Sequence, residues 1–312
     1  MPGSHDHRID PELVPFADTL PRDFFFDIPS ARQVMRSLTA DLEPGDAERA
    51  QEIANTEIAG DPPVGVRVYR RPGEHVRPGV LYLHGGGLCV GDLDTEHSLA
   101  VGLVAALDVV VVSVDYRLAP EHPYPAGLED CFCALAWLAD RSDVDARRIA
   151  VHGTSGGGGL AAALCLLARD RGGPAIAFQA LAVPELDDRL ETASMQQFVD
   201  TPMWNRPQAV ESWRHYLAGL DPVPAYAAPA RADDLRGLPP AYISACELDP
   251  LRDEAILYGL ALLRADVPVE LHTFPGTFHA SNAIPFAAVS IRAGEELAGA
   301  LGRGLGISPT PQ

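Results

Sequence analysis

The chain has 312 residues, 47% of them apolar, enough to bury one large core with room for a small appended lid. Charged residues make up 21% and mean hydropathy is +0.01, which excludes a disordered chain, and no apolar run approaches the roughly 18 residues of a membrane span. A net charge of −19 argues against nucleic acid and against stable association with anionic membranes.

Residues 1–60 read as largely helical and carry the aromatic run Phe24, Phe25, Phe26. A strand-like alternation begins at Val64, and GVLYLHGGG (79–87) is an apolar strand that runs into glycines. A helix is expected around 94–107, then a buried parallel strand over 108–116, rich in β-branched residues. A Pro-rich loop leads to a helix from Leu128 to Ala139. The pattern repeats with a strand at 148–155, a helix at 156–170 and a strand at 177–186. Residues 187–225 read as irregular and aromatic, with Trp204, Trp213 and Tyr216. A strand at 239–248, a helix at 253–266, a strand at 267–275 and a helix over about 284–302 complete the chain. Strands alternating with helices predict the α/β class, with a mostly parallel sheet covered on both faces. In such sheets ligands bind at the C-terminal strand ends.

The motifs fall at those ends. Gly153-Thr154-Ser155-Gly156-Gly157 matches G-x-S-x-G between a strand and a helix, the pattern of a nucleophile elbow. The sharp turn leaves no space for side chains two residues either side of the serine. The helix start then puts backbone N–H groups beside the reacting atoms. His84-Gly85-Gly86-Gly87 follows another strand and suits one wall of an oxyanion hole, because glycines expose bare N–H groups. Gly85, Gly86 and Gly156 are the expected donors, and His84 is expected to order the loop. In this chain order the acid and then the base follow the serine. Asp249 lies 94 residues beyond Ser155 and His279 a further 30, each after a strand. Asp253 and Glu247 are the rivals for the acid; His272 and His152 are the rivals for the base.

Two competing patterns carry weight. Gly156-x-Gly158-x-x-Ala161, with Glu185 ending the next strand, resembles a dinucleotide-binding fingerprint and would make the protein an oxidoreductase. A non-catalytic ligand-binding module on the same scaffold is the other. Every basic side chain except histidine is Arg, so Schiff-base chemistry, a P-loop lysine and a Ser-x-x-Lys pair are excluded. Cys89, Cys131, Cys133, Cys165 and Cys246 are scattered and read as small buried hydrophobes. The opening MPGSHDHRID lacks the apolar stretch of a secretory signal, and a reducing cytoplasm is the expected compartment.

HGGG at 84–87, DYRLAPEHPYPA at 115–126, GTSGGG at 153–158, LDPLRDE at 248–254 and FH at 278–279 together resemble the bacterial hormone-sensitive lipase-like esterases. The resemblance runs from about Val64 to the last helix. It implies an α/β-hydrolase fold with an eight-stranded, mostly parallel sheet, helices on both faces and a small helical cap. The cap would comprise 1–50 and 187–225, and the catalytic core 51–186 and 226–312. It implies hydrolysis of short- to medium-chain acyl esters through an acyl-enzyme on Ser155, with a small-molecule ester as partner and with no cofactor and no metal. Amides, lactones and thioesters stay open as acyl donors, and a homodimer is compatible with the fold. The family's elbow more often has Asp at 154 and Ala at 156, and an aromatic at 88. Leu88, Phe198 and Trp204 are the expected pocket residues.

Overall fold

The structure, a computed structural model, describes residues 6–39 and 45–307. Eight strands form one sheet: β1 (Glu52–Ile58), β2 (Val64–Arg70), β3 (Arg77–Leu83), β4 (Val110–Asp115), β5 (Val144–Thr154), β6 (Phe178–Ala182), β7 (Ala241–Leu248) and β8 (Val269–Phe278). Their order is β1-β2-β4-β3-β5-β6-β7-β8. β2 runs antiparallel to β1 and β4, and every other pairing is parallel. The sheet is therefore mixed at one end and parallel where the motifs lie.

Strand periodicity explains the two cores. Leu81, Leu83, Val110 and Val112 point to one face, under the helices Ala126–Ala139, Gly156–Arg171 and Arg252–Arg264. Val80, Tyr82, Val111 and Ala150 point to the other, under His97–Leu107 and Ala288–Gly304. A third cluster joins Leu13, Phe198, Leu248, Phe274 and Phe278 beside the end of β8. Among the described residues no helix is long and apolar enough to cross a membrane.

Two expectations are corrected. Residues 1–60 are not helical throughout, since Glu52–Ile58 is an edge strand in full register with β2. Its sequence, EIANTEI, is mostly exposed and shows no alternation that periodicity could detect. The segment 187–225 is not merely irregular: it holds the helices Ala193–Gln197 and Arg206–Leu217. Thr192 and Asn205 cap them through their side-chain oxygens, a signal that the sequence does carry.

The N-terminal segment and the segment after β6 meet. Met203 N–H donates to the Pro21 carbonyl at 2.9 Å, and the Asn205 amide donates to that of Arg22 at 2.7 Å. Phe25 stands edge-on to Trp204 with ring centroids 5.1 Å apart. Phe26 is exposed, and the Phe24 side chain, with residues 1–5 and 40–44 of the expected cap, lies outside the described residues.

Candidate active site

β5 ends at Thr154, and the helix Gly156–Arg171 begins at once. Ser155 sits between them at φ 56°, ψ −122°, a backbone conformation that costs free energy for any residue with a side chain and persists only where its surroundings enforce it. Here they do. A Cβ at Gly153 would stand 2.1 Å from the Gly157 carbonyl oxygen, so the turn closes on itself with no space to relax. The Ser155 carbonyl accepts the Gly159 and Glu185 N–H groups, both at 3.0 Å.

The other two residues come from the ends of β7 and β8. His279 Nε2 lies 2.9 Å from Ser155 Oγ, and its Nδ1 lies 2.6 Å from Asp249 Oδ2. Asp249 Oδ1 accepts the Leu251 N–H at 2.9 Å, which fixes the carboxylate plane. All three side chains are buried. The rivals are engaged elsewhere. Asp253 accepts the Ser194 N–H at 2.7 Å, and Glu247 accepts the Gly276 N–H at 2.8 Å and pairs with Arg8. His152 is stacked on Tyr82 and bonds the Ala180 carbonyl; burial pushes it down to about 4. His272 pairs with Glu270 at 3.0 Å on β8.

The glycine loop after β3 faces the elbow. His84 is stacked on Tyr116 and buried, which pushes its imidazole down to about 4, and its Nδ1 lies 2.8 Å from the Gly85 carbonyl. It orders the loop. Gly86 and Gly87 have φ of +126° and +52°, values that glycine adopts without strain. Their N–H groups have no acceptor among the described residues. Gly85 differs from expectation: its N–H donates to Glu96 Oε2 at 3.1 Å and is spent. Gly87 instead adjoins the elbow, its nitrogen 3.2 Å from where a Cβ on Gly156 would stand. Three successive glycines look alike in sequence, and only Glu96 tells them apart.

A cavity of about 90 Å³ opens at Ser155 and His279. Phe25, Met35, Glu96 and Trp204 line it, and the Trp204 and His279 rings are 5.8 Å apart. Trp204 is one of the residues that line the cavity. Leu88 and Phe198 are not among the lining residues. Leu88 is buried in the main core, its carbonyl accepting the Ala119 N–H at 3.0 Å. Phe198 is fully buried in the third cluster, with the Arg252 guanidinium over its ring. Aromatic content marks residues that will be buried and not the cavity they face. Phe25 comes from the aromatic run of the N-terminal segment, whereas Glu96 belongs to no motif.

The dinucleotide pattern is overturned. Glu185 is 1% exposed, and a Cβ on Gly159 would stand 2.1 Å from its carbonyl oxygen. The loop after β6 packs onto the start of the helix, where a pyrophosphate would have to sit.

A family described as "alpha/beta hydrolase fold" matches residues 80–282. The chain is 41% identical over 283 residues to the esterase LipI of Mycobacterium tuberculosis, covering 87% of each chain. It is 40% identical over 310 residues to the carboxylesterase NlhH of Mycobacterium tuberculosis, covering 95% of this chain and 94% of that one. Among solved structures, the bacterial heroin esterase superposes with a TM-score of 0.91 at 44% identity, over 97% of this chain and 99% of that one. The chain belongs to the α/β-hydrolase family, in the hormone-sensitive lipase-like esterase branch that its motifs resemble.

Proposed function

We propose that this protein is a serine carboxylesterase acting on short- to medium-chain acyl esters, with Ser155, His279 and Asp249 as its catalytic residues. The observation that carries the reading is the continuous hydrogen-bonded line from Ser155 Oγ through His279 to Asp249. Ser155 Oγ attacks the ester carbonyl carbon while its proton passes to His279 Nε2. The carbonyl oxygen becomes an oxyanion held by the N–H groups of Gly86, Gly87 and Gly156; one such donor is worth roughly 2.7–4 kcal/mol. Collapse expels the alkoxide, which takes the proton from His279 and leaves as alcohol. Water then gives its proton to His279, attacks the acyl-enzyme and releases the acid. Asp249 holds the tautomer and stabilises the imidazolium.

The narrow cavity favours short acyl groups. Residues 6–39, 45–50 and 187–225 act as a cap over it, a role supported by the contact of Phe25 with Trp204 beside the site. Five unpaired cysteines support a reducing compartment, the cytoplasm. Leu257, Leu260 and Leu263 are exposed together on the helix Arg252–Arg264 and favour a homodimer, which sedimentation would test.

The test of function is hydrolysis of p-nitrophenyl esters from acetyl to palmitoyl by wild type and Ser155→Ala. Activity that peaks at short chains and is lost in the variant is expected. An inert wild type, or activity that survives the substitution, overturns the assignment and favours a ligand-binding protein.

A further inference from the structure

We propose that Glu96 gives the site a preference for esters that carry an ammonium group close to the scissile carbonyl. The inference rests on the serine-esterase reading and adds a substrate class to it. Glu96 belongs to neither the triad nor the oxyanion donors, yet it lines the same cavity as Ser155, His279 and Trp204. Its Oε2 is anchored: the Tyr82 O–H and the Gly85 N–H both donate to it. Its Oε1 lies on the side of the nucleophile. A carbon attached at Gly85 Cα would stand 3.6 Å from Glu96 Oε1 and 3.5 Å from Ser155 Cβ.

The carboxylate has no cationic partner of its own. Among the described residues no Arg or His forms an ion pair with Glu96, although the structure contains many such pairs on other carboxylates. Its hydrogen-bond donors are the neutral Tyr82 hydroxyl and the Gly85 N–H, and Thr154 and His279 line the same cavity. Burial pushes the carboxyl up and so favours its neutral form, whereas the two donors on Oε2, and a cation placed at Oε1, favour the charged form. A protonated amine on the substrate supplies the missing counter-charge and can donate its N–H to Oε1. Trp204 and Phe25 in the same cavity offer aromatic surface to its alkyl groups. The net charge of −19 draws cations toward the molecule at longer range.

Two esters of the same shape test this: 2-(dimethylamino)ethyl acetate, protonated at pH 7, and the neutral 3-methylbutyl acetate. The ratio of their kcat/KM values, divided by the ratio of their hydroxide-catalysed rates, measures recognition free of leaving-group chemistry. The wild-type value should exceed about ten, and Glu96→Gln should lower it about tenfold. Damage to the glycine loop in the variant lowers both rates and cancels in the ratio. A wild-type value near one, or a value undiminished in Glu96→Gln, overturns the proposal. Should the variant not fold, inhibition of wild type by 2-(dimethylamino)ethanol and by 3-methylbutanol decides. The amino alcohol should inhibit at the lower concentration, and equal or weaker inhibition overturns the proposal. Failure to hydrolyse either ester, or their hydrolysis by Ser155→Ala, would instead sink the esterase reading.

Discussion

The Glu185 N–H donates to the Ser155 carbonyl at 3.0 Å, so a buried acid is tied by its backbone to the residue at the centre of the site. Its carboxyl is pushed up to about 7, first by burial and further by Asp249, while Ser212 and His279 pull the other way. An unfolded glutamate titrates near 4.3, so the fold binds this proton more tightly than the unfolded chain does. The resulting stability is complete below about pH 4 and is lost as pH rises through 7, the loss approaching about 4 kcal/mol. Glu185→Gln has no such titration. Wild-type Tm minus variant Tm should therefore fall by several degrees between pH 5 and pH 8. Thermal melts at both pH values check this, and a constant difference would refute it.

Asp249 offers a test of the base's support. Its two oxygens are divided between His279 and the Leu251 N–H. Asp249→Asn preserves shape and packing but removes the charge and favours the wrong imidazole tautomer. The expected result is a kcat lower by about 10⁴-fold with Tm nearly unchanged. Steady-state kinetics beside a melt would show it. A loss below tenfold would mean that another group orients His279.

How legible this site is in sequence follows from what restricts each residue. The elbow is legible because its sterics admit few residue types, and Asp249 and His279 because each follows an apolar strand in a set chain order. The central strands are legible from their β-branched runs. β1 is not, because an edge strand with only Ile53, Ala54 and Ile58 apolar carries no pattern. The choice of Gly87 over Gly85 depends on a carboxylate 11 residues away in sequence from Gly85, which spacing cannot reveal. Phe198 and Trp204 are both buried aromatics from one segment, and only the packing sends one to a remote cluster and the other to the cavity.

Gly157 and Gly102 should respond to alanine in opposite directions. A Cβ at Gly157 would stand 2.2 Å and 2.3 Å from the carbonyl oxygens of Leu83 and His84. Those atoms are backbone at the end of β3, so the helix start and the glycine loop must separate. Gly157→Ala should lose several kcal/mol of stability together with activity. At Gly102, exposed within the helix His97–Leu107, nothing lies within 4 Å. Gly102→Ala should gain about 0.5–1 kcal/mol from helix propensity alone, with activity intact. Denaturant midpoints of the two variants give the comparison.

Trp204 sets the size limit of the cavity. Its indole is almost fully buried, edge-on to Phe25 and beside His279, and one edge presses toward Gly87. It thus bounds the space that an acyl or alcohol chain can enter. Trp204→Ala removes that boundary while leaving the triad's hydrogen bonds in place. Longer chains then find apolar room where the indole stood, and one or two extra methylenes in such a pocket are worth roughly 1–3 kcal/mol. The ratio of kcat/KM for p-nitrophenyl hexanoate over acetate should rise about tenfold or more, whatever happens to the absolute rates. Packing against His279 is also lost, so a moderate fall in kcat on acetate is expected alongside. An unchanged hexanoate-to-acetate ratio would place the acyl chain away from Trp204, on the side of Met35 and Val90.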